Sequence, residues 1–189
     1  MLSSVSTFAQ HAVGSFNLQP KVGVSIANLT ELKDTDPCVG VVAGVEGEYQ
    51  ASDIISVSAG VLYSMQGYKY EYNSGIQNYK STNKLDYINV PIMANVYVTK
   101  GLAVKLGVQP GFKVSGSKNS ELNTIFGSFG GTHDVKAKSV DFSIPVGLSY
   151  EYNNFQLDAR YNWGLTKAFE NGKAKNSVFQ ITLGYKFDL

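Results

Sequence analysis

The 189-residue chain is poor in charge, in cysteine and in long apolar runs. Only 16% of its residues are charged, against about 25% in an average soluble domain. The formal net charge of +1 offers no basic surface for nucleic acid. The single cysteine, Cys38, excludes an internal disulfide and a paired-cysteine metal site, and no apolar run approaches the roughly 18 residues of a spanning helix. The abundant residues are instead 19 Gly, 12 Tyr and 10 Phe, which favour an all-β domain.

Apolar and polar residues alternate along most of the chain. From Phe155 to Leu165 every second residue is apolar, and the same holds from Phe179 to Leu189. A period of two predicts amphipathic strands. Six further strands with one apolar face are predicted over residues 16–26, 39–49, 55–65, 88–98, 102–112 and 140–152.

The links between these strands alternate in length. Three links are tight turns, at residues 50–52, 100–101 and 153–154, and four are long and polar, at residues 30–37, 70–84, 116–138 and 167–176. Short turns at one end and long loops at the other are typical of bacterial transmembrane barrels. The pattern predicts a closed, up-and-down antiparallel β-barrel of about eight strands.

Alternation alone does not say which face lines the barrel, because a soluble lipocalin-like carrier would place the apolar face inside. The polar faces are rich in Gly, Ser, Asn and Gln, whereas a water-facing exterior would carry more Lys and Glu. Their six acidic and five basic residues nearly cancel, as enclosed charges must. We therefore predict a membrane barrel with a lumen charge network of Lys21, Glu46, Glu48, Lys105, Lys113, Asp141, Asp158, Arg160 and Lys186.

The charged pair Asp158 and Arg160 lies on the polar face of one strand. In a pore, such charges would select solutes. In an eight-stranded barrel the interior is only wide enough for side chains, so we expect a structural plug instead. The narrow channel for small solutes remains the first alternative, and the soluble carrier of an apolar ligand is the second.

The C-terminal sequence resembles the assembly signal of outer-membrane barrels in Thr182, Gly184, Phe187 and Leu189, although the usual last residue is Phe. The stretch Leu85–Met93 contains an internal proline and is followed by the Gly-rich run 101–113. This order is similar to that of the PorT-like outer-membrane β-barrel family, over roughly residues 15–189. The resemblance implies an outer-membrane location in a Gram-negative type of envelope and a link to protein secretion, and it brings no catalytic motif.

Aromatic residues divide into two predicted groups. Rings on the apolar strand faces would lie in the membrane-interface belts, and this group comprises Tyr49, Tyr63, Tyr152, Tyr161, Trp163, Tyr185 and Phe187. Rings in the long loops would form external binding surfaces, and this group comprises Tyr68, Tyr70, Tyr72, Tyr79, Phe126 and Phe129. An equal alternative is that Tyr68, Tyr70 and Tyr72 only extend a strand.

The two histidines give little support for catalysis. His133 precedes Asp134 in the longest loop, and His11 lies beside a predicted signal-peptidase site after Ala9. We expect both to be exposed and non-catalytic, with no cofactor and no metal. Residues 1–9 are interpreted as the remnant of a secretory signal and residues 10–189 as one barrel domain.

Four prolines lie inside predicted strands: Pro20, Pro91, Pro110 and Pro145. Proline has no backbone N–H to donate to the ladder, so we expect a bulge or a strand end at each.

The expected protein is a monomer in outer-membrane lipid. Its C-terminal strand would engage the barrel-assembly machinery, and its loops would contact a surface or envelope protein. We expect a structural or surface-interaction role such as envelope integrity, adhesion or support of secretion.

Overall fold

The computed structural model describes residues 11–30, 35–73, 77–124, 127–134, 139–167 and 174–189. These residues form antiparallel strands joined in one sheet. The strands are β1 (Phe16–Leu29), β2 (Thr35–Gln50), β3 (Ile55–Asn73), β4 (Gln77–Asn89), β5 (Ile92–Thr99), β6 (Leu102–Thr124), β7 (Gly127–Asp134), β8 (Val140–Tyr152), β9 (Phe155–Lys167), β10 (Lys175–Tyr185) and β11 (Phe187–Asp188).

The sheet closes on itself because β10 pairs with β1 from Lys21↔Gly184 to Leu29↔Asn176. Two of the barrel strands are interrupted: β4 and β5 are successive parts of one, and β10 and β11 of another. The short β7 pairs with the outer part of β6 and extends beyond the barrel wall. The closed eight-stranded antiparallel barrel predicted from the alternation is therefore confirmed.

The apolar strand faces point outward and the polar faces point into the lumen. On β1, Val22 is 58% exposed, whereas Gln19 and Ser25 are 1% and 0% exposed. A soluble carrier of an apolar ligand needs the opposite arrangement, so that alternative is wrong. Within the described residues, no helix has the length and apolar character needed to cross a bilayer.

Each strand proline lies where hydrogen bonding is broken on one side. Pro91 falls between β4 and β5, and Pro110 lies opposite this break, where its carbonyl accepts the N–H of Val90. Gln19 and Pro20 are the two residues of β1 between its pairing with β10, which begins at Lys21, and its pairing with β11, which ends at Leu18. Pro145 lies between the pairs Leu106↔Val146 and Gln109↔Ser143. The expected local irregularity at prolines is confirmed.

The turns at one end of the barrel are tight, as predicted. Asn153 and Asn154 both have positive φ, 47° and 67°, as a two-residue type I′ hairpin turn requires. Gly101, with φ of 79°, forms the turn between β5 and β6. The left-handed backbone of these residues fixes the register of the hairpins they join.

Two of the long links are not the loops that the sequence predicted. β3 and β4 stay paired out to Asn73↔Asn78, and β6 and β7 form a second hairpin that ends at Thr124↔Gly127. Tyr70, Tyr72, Tyr79 and Phe129 therefore belong to strands, because the ladder hydrogen bonds continue past the apolar band. The alternative that Tyr68, Tyr70 and Tyr72 extend a strand is confirmed. Phe126 and the predicted signal remnant, residues 1–9, lie outside the described residues.

Candidate functional site

A cluster of five buried charged side chains crosses the middle of the lumen. Arg160 on β9 donates to both carboxylate oxygens of Glu46 on β2, at 2.8 and 3.3 Å, and to both oxygens of Asp158, at 3.0 and 2.8 Å. Lys21 lies 2.5 Å from Glu46 and 3.2 Å from Asp158. Lys105 donates to Asp158 at 2.7 Å. We call these residues the central network; every member is at most 4% exposed.

A second cluster lies toward the end of the barrel with the tight turns. The Lys186 amine is fully buried and lies 2.8 Å from carboxylate oxygens of both Glu48 and Glu151. Glu48 also accepts hydrogen bonds from Tyr97, at 2.6 Å, and from Ser56. We call Glu48, Lys186, Glu151 and Tyr97 the end network. The end network has one cation and two carboxylates, whereas the central network has three cations and two carboxylates. The negative charge of the end network therefore balances the positive charge of the central network.

His11 covers the end network from outside the strands. Its Nε2 lies 2.8 Å from Glu151 and its Nδ1 lies 3.0 Å from Asp188. The hydrogen bond with Glu151 raises the pKa of His11 above the ordinary value of 6.5, although burial opposes this shift. The prediction that His11 is exposed is wrong, since its side chain is only 8% exposed. The chain before β1 turns back across the barrel end, where Gly14 and Ser15 bond the backbone of Gln50.

Lumen-facing glycines make room for the charged side chains. A Cβ atom at Gly60 would lie 2.5 Å from Cγ of Glu46, and one at Gly147 would lie 2.9 Å from Cβ of Arg160. Real carbon atoms do not approach so closely, so any larger residue would displace the ion pairs or the wall. The glycine-rich polar faces noted in the sequence thus have a packing role.

Uncharged polar side chains fill much of the outer half of the lumen. Gln180 on β10 donates to Ser64 on β3 at 3.1 Å across the interior. Several amides here, that of Gln180 included, have an atom with no partner among the described residues, although each side chain is at least nine-tenths buried. A buried amide left without a partner costs about 1–3 kcal/mol, so such atoms favour water or another polar molecule. The amides concerned are those of Gln66, Asn89, Gln109, Asn162, Asn176 and Gln180.

Seven of the nine residues predicted for the lumen network belong to the two clusters. The other two, Lys113 and Asp141, lie nearer the outer end, where Asp141 accepts a hydrogen bond from Thr166 at 2.6 Å. Three further residues of the two networks stood outside the predicted lumen network: Glu151, Tyr97 and His11. Glu151 was already among the six acidic residues of the polar faces. Tyr97 shares the polar-face alternation of β5 with Asn95, whereas His11 precedes the first strand and carries no such signal.

The predicted interface aromatics all lie on the outward face. Tyr49, Tyr152, Tyr185 and Phe187 lie near the tight turns, where the Tyr185 ring packs 4.8 Å from Phe187 and 5.0 Å from Phe155. Tyr63, Tyr161 and Trp163 lie further out along the strands. The outward position of these rings is compatible with the membrane-interface belts, and their place in the two headgroup layers stays a prediction.

Tyr68 differs from the sequence prediction. It was expected in an external loop or an outer belt, but its ring packs on the lumen side against Leu29 and Ala174, which are 5% and 3% exposed. The side chain turns inward because β3 continues with the same alternation that points Ser64 and Gln66 into the lumen. His133 lies on β7, and the described residues contain no cluster of His, Cys, Asp and Glu suited to a metal ion.

The residues of the C-terminal assembly motif lie at the seam of the barrel. Thr182 and Gly184 face the lumen beside β1, whereas Phe187 and Leu189 face outward. The backbone N–H of Leu189 donates to the carbonyl of Phe16 at 3.0 Å. The last strand thus closes the ring with the first.

An apolar exterior around an ion-paired interior defines a membrane-embedded β-barrel. The chain belongs to the outer membrane protein beta-barrel domain family, whose model matches residues 8–170. It is therefore an outer-membrane protein. No relative of curated function matches the chain in sequence.

Solved outer-membrane barrels share this fold. Ail, the attachment invasion locus protein of Yersinia pestis in complex with the heparin analogue sucrose octasulfate, has a TM-score of 0.54 at 15% identity, covering 93% of this chain and 100% of that one. Neisserial surface protein A has a TM-score of 0.50 at 12% identity, covering 91% and 97%. At these identities the likeness shows the fold alone.

Proposed function

We propose that the protein is a non-conducting outer-membrane barrel with a structural or surface-interaction role, and that it catalyses no reaction. The observation that carries this proposal is the closure of the lumen by the central and end networks. Four cations and four carboxylates there are each at most 4% exposed and held by ion pairs. Breaking such a pair leaves a buried charge, at a cost of about 3–5 kcal/mol, so the plug is rigid.

The surface part of the role rests on the two hairpins that extend past the apolar band, β3–β4 and β6–β7. Elements carried outward on a rigid barrel are suited to contact a partner. One structural neighbour, Ail, is named for attachment and invasion. Adhesion is one form of the proposed role, envelope integrity a second, and support of secretion, which the PorT-like resemblance implies, a third.

The proposed partners follow from the same features. The exposed apolar band requires outer-membrane lipid, and the C-terminal motif is proposed to engage the barrel-assembly machinery during insertion. A surface or envelope protein would bind the hairpins. The barrel is proposed to work as a monomer without nucleic acid, since its edges are paired around the ring.

Planar-bilayer recording tests the closed lumen. The wild-type protein should show no steady conductance, because the ion-paired side chains of the central network cross the lumen. The Arg160→Gln variant removes one crossing side chain, and Lys100→Gln removes a cation from an exposed turn as the control. A wild-type conductance that Arg160→Gln alters and Lys100→Gln leaves unchanged would contradict the proposal.

That result would instead favour the second candidate, a narrow channel for small solutes. The unpartnered amides of the outer lumen support this candidate because they suit a hydrated passage.

The surface role is tested separately by removing residues 119–132, the outer part of the β6–β7 hairpin, and measuring attachment and detergent resistance of cells that carry the protein. A folded variant that loses neither property would contradict a surface role for this hairpin.

A further inference from the structure

An apolar groove opens on the outer surface of the barrel between β2 and β3. Its volume is about 310 Å³, and it is lined by Val24, Cys38, Val39, Gly40, Val41, Met65, Gln66 and Lys84. This volume is at the lower end of the roughly 300–1,000 Å³ of small-molecule sites. Val39 and Val41 are 66% and 48% exposed on the lipid-facing side, so the groove opens to the bilayer.

A break in the β2–β3 ladder creates the groove. Pairing stops between Pro37↔Tyr68 and Val42↔Ser64, so residues 38–41 of one strand face only residues 65–67 of the other. An extra residue on one side is a β-bulge, which bends a strand and increases its twist. On the far side of β3, Gly67 adopts a φ of 143°, where a Cβ atom would lie 2.0 Å from the carbonyl oxygen of Asn83.

The groove is held open by specific contacts. The Met65 carbonyl, which lacks its ladder partner on β2, accepts a hydrogen bond from the Ser25 hydroxyl of β1. This reach across β2 is open because Gly40 has no side chain: a Cβ atom there would lie 2.4 Å from the same carbonyl oxygen. Satisfying the backbone in this way lets the wall stay open toward lipid, where an unpaired carbonyl would be costly.

Lys84 lies beyond the apolar part of the outward face of β4. Along the outward face of β4, apolar Ile88 is followed by half-buried Asp86 and then by exposed Lys84. Asp86 is engaged by the hydroxyl of Tyr63. Lys84 forms no ion pair with any residue in the described ranges, so its amine is available to an anion at the edge of the apolar band.

We propose that the groove binds one acyl chain of an anionic outer-leaflet lipid, with the lipid phosphate on the Lys84 amine. The valine and methionine side chains contact the hydrocarbon, and Lys84 selects the headgroup by charge. This inference goes beyond the proposed surface role, because it assigns a lipid site on the barrel wall and leaves the hairpins and the lumen uninvolved.

Photo-crosslinking in vesicles tests the site. The full-length protein is reconstituted in phosphatidylcholine vesicles that contain a photoreactive lipid with a diazirine in one acyl chain. This photoreactive lipid is phosphatidylglycerol in one sample and phosphatidylcholine in the other. Adducts are mapped by peptide mass spectrometry. Adducts should concentrate on Val39, Val41 and Met65 relative to Val104 and Leu106 on the lipid-facing side of β6. Phosphatidylglycerol should label the groove about fivefold more, the preference that about 1 kcal/mol per surface lysine gives.

Two variants separate the acyl chain from the headgroup. Val41→Phe places a ring in the groove and should reduce adducts on Met65 to the level found on β6. Lys84→Gln should abolish the preference for phosphatidylglycerol while leaving the labelling by phosphatidylcholine unchanged, and Lys100→Gln is its control. Heat-dependent gel mobility verifies that each variant is folded. Adducts spread evenly around the barrel, or a preference that survives Lys84→Gln, would overturn the proposal.

Discussion

Arg160 and Glu46 are 114 positions apart in the chain, yet the guanidinium of one meets the carboxylate of the other through two hydrogen bonds, at 2.8 and 3.3 Å. The two residues lie on β9 and β2, which are not neighbours in the sheet. The contact therefore spans the lumen, and a bidentate pair of this kind is strong because geometry and charge act together.

Removal of Arg160 should destabilise the barrel. In Arg160→Gln, Glu46 and Asp158 lose their main cation while remaining buried, and the free energy of unfolding should fall by about 3–5 kcal/mol. Urea titration of the protein refolded into detergent or lipid measures this change. Lys100→Gln, which removes an exposed turn cation, should change it by less than about 0.5 kcal/mol. Equal stability of the two variants would mean that the central network is not a stabilising plug.

Gly60→Ala should also destabilise the protein. The added Cβ would lie 2.4 Å from the Val45 carbonyl oxygen and 2.5 Å from Cγ of Glu46, and overpacking of this kind costs about 1–3 kcal/mol. Gly47→Ala is a matched control, since its Cβ would meet only the tip of the Phe16 ring. The same urea titration should separate the two. A loss for Gly47→Ala as large as that for Gly60→Ala would refute the lumen-specific effect.

Stability should depend on pH through His11. Because its pKa is raised in the folded protein by Glu151, protonated His11 stabilises the fold fully below its ordinary value of 6.5. This contribution is lost as pH rises through the raised pKa. The difference in unfolding free energy between wild type and His11→Gln should therefore shrink above pH 6.5. A difference that stays constant across this range would show that the histidine does not act by its charge.

The turn between β8 and β9 should tolerate only residues that adopt positive φ. Asn153→Val places a β-branched side chain at a φ of 47°, and left-handed backbone costs such residues about 1–2 kcal/mol or more. Asn153→Gly should fold at least as stably as wild type, because glycine adopts this conformation without strain. Refolding yield and urea titration compare the two variants, and a stable valine variant would mean that the turn can change its type.

The strand pattern was predictable because it is local. Each residue on an outward face follows another by two positions, so Phe155 to Leu165 identified β9 without any knowledge of its neighbours. The positions of the tight turns and the irregular pairing at the strand prolines were predictable from the sequence in the same way. The β6–β7 extension was missed because residues 116–134 show no regular alternation of apolar and polar residues. The β3–β4 extension was one of two equal alternatives, since Tyr68, Tyr70 and Tyr72 alternate with polar residues.

The lumen was predictable in composition and only partly in detail. The near balance of acidic and basic residues on the polar strand faces predicted that these charges lie inside the barrel. Seven of the nine residues predicted for the lumen charge network meet in two clusters. Lys113 and Asp141 share the same sequence pattern but lie at another level of the barrel. Tyr68 points inward because β3 continues past residue 65 with the alternation that points Ser64 and Gln66 into the lumen.

The sequence by itself determined the barrel class and the number of strands, because a two-residue repeat and the turn residues act over a few neighbouring positions. It also determined the apolar exterior, because the polar faces are poor in charge and their charges nearly cancel. Only the tertiary structure decided which charges meet, that His11 caps Glu151, and that β2 and β3 part into a groove. Those relationships depend on strand tilt and stagger, which bring together residues far apart in the chain.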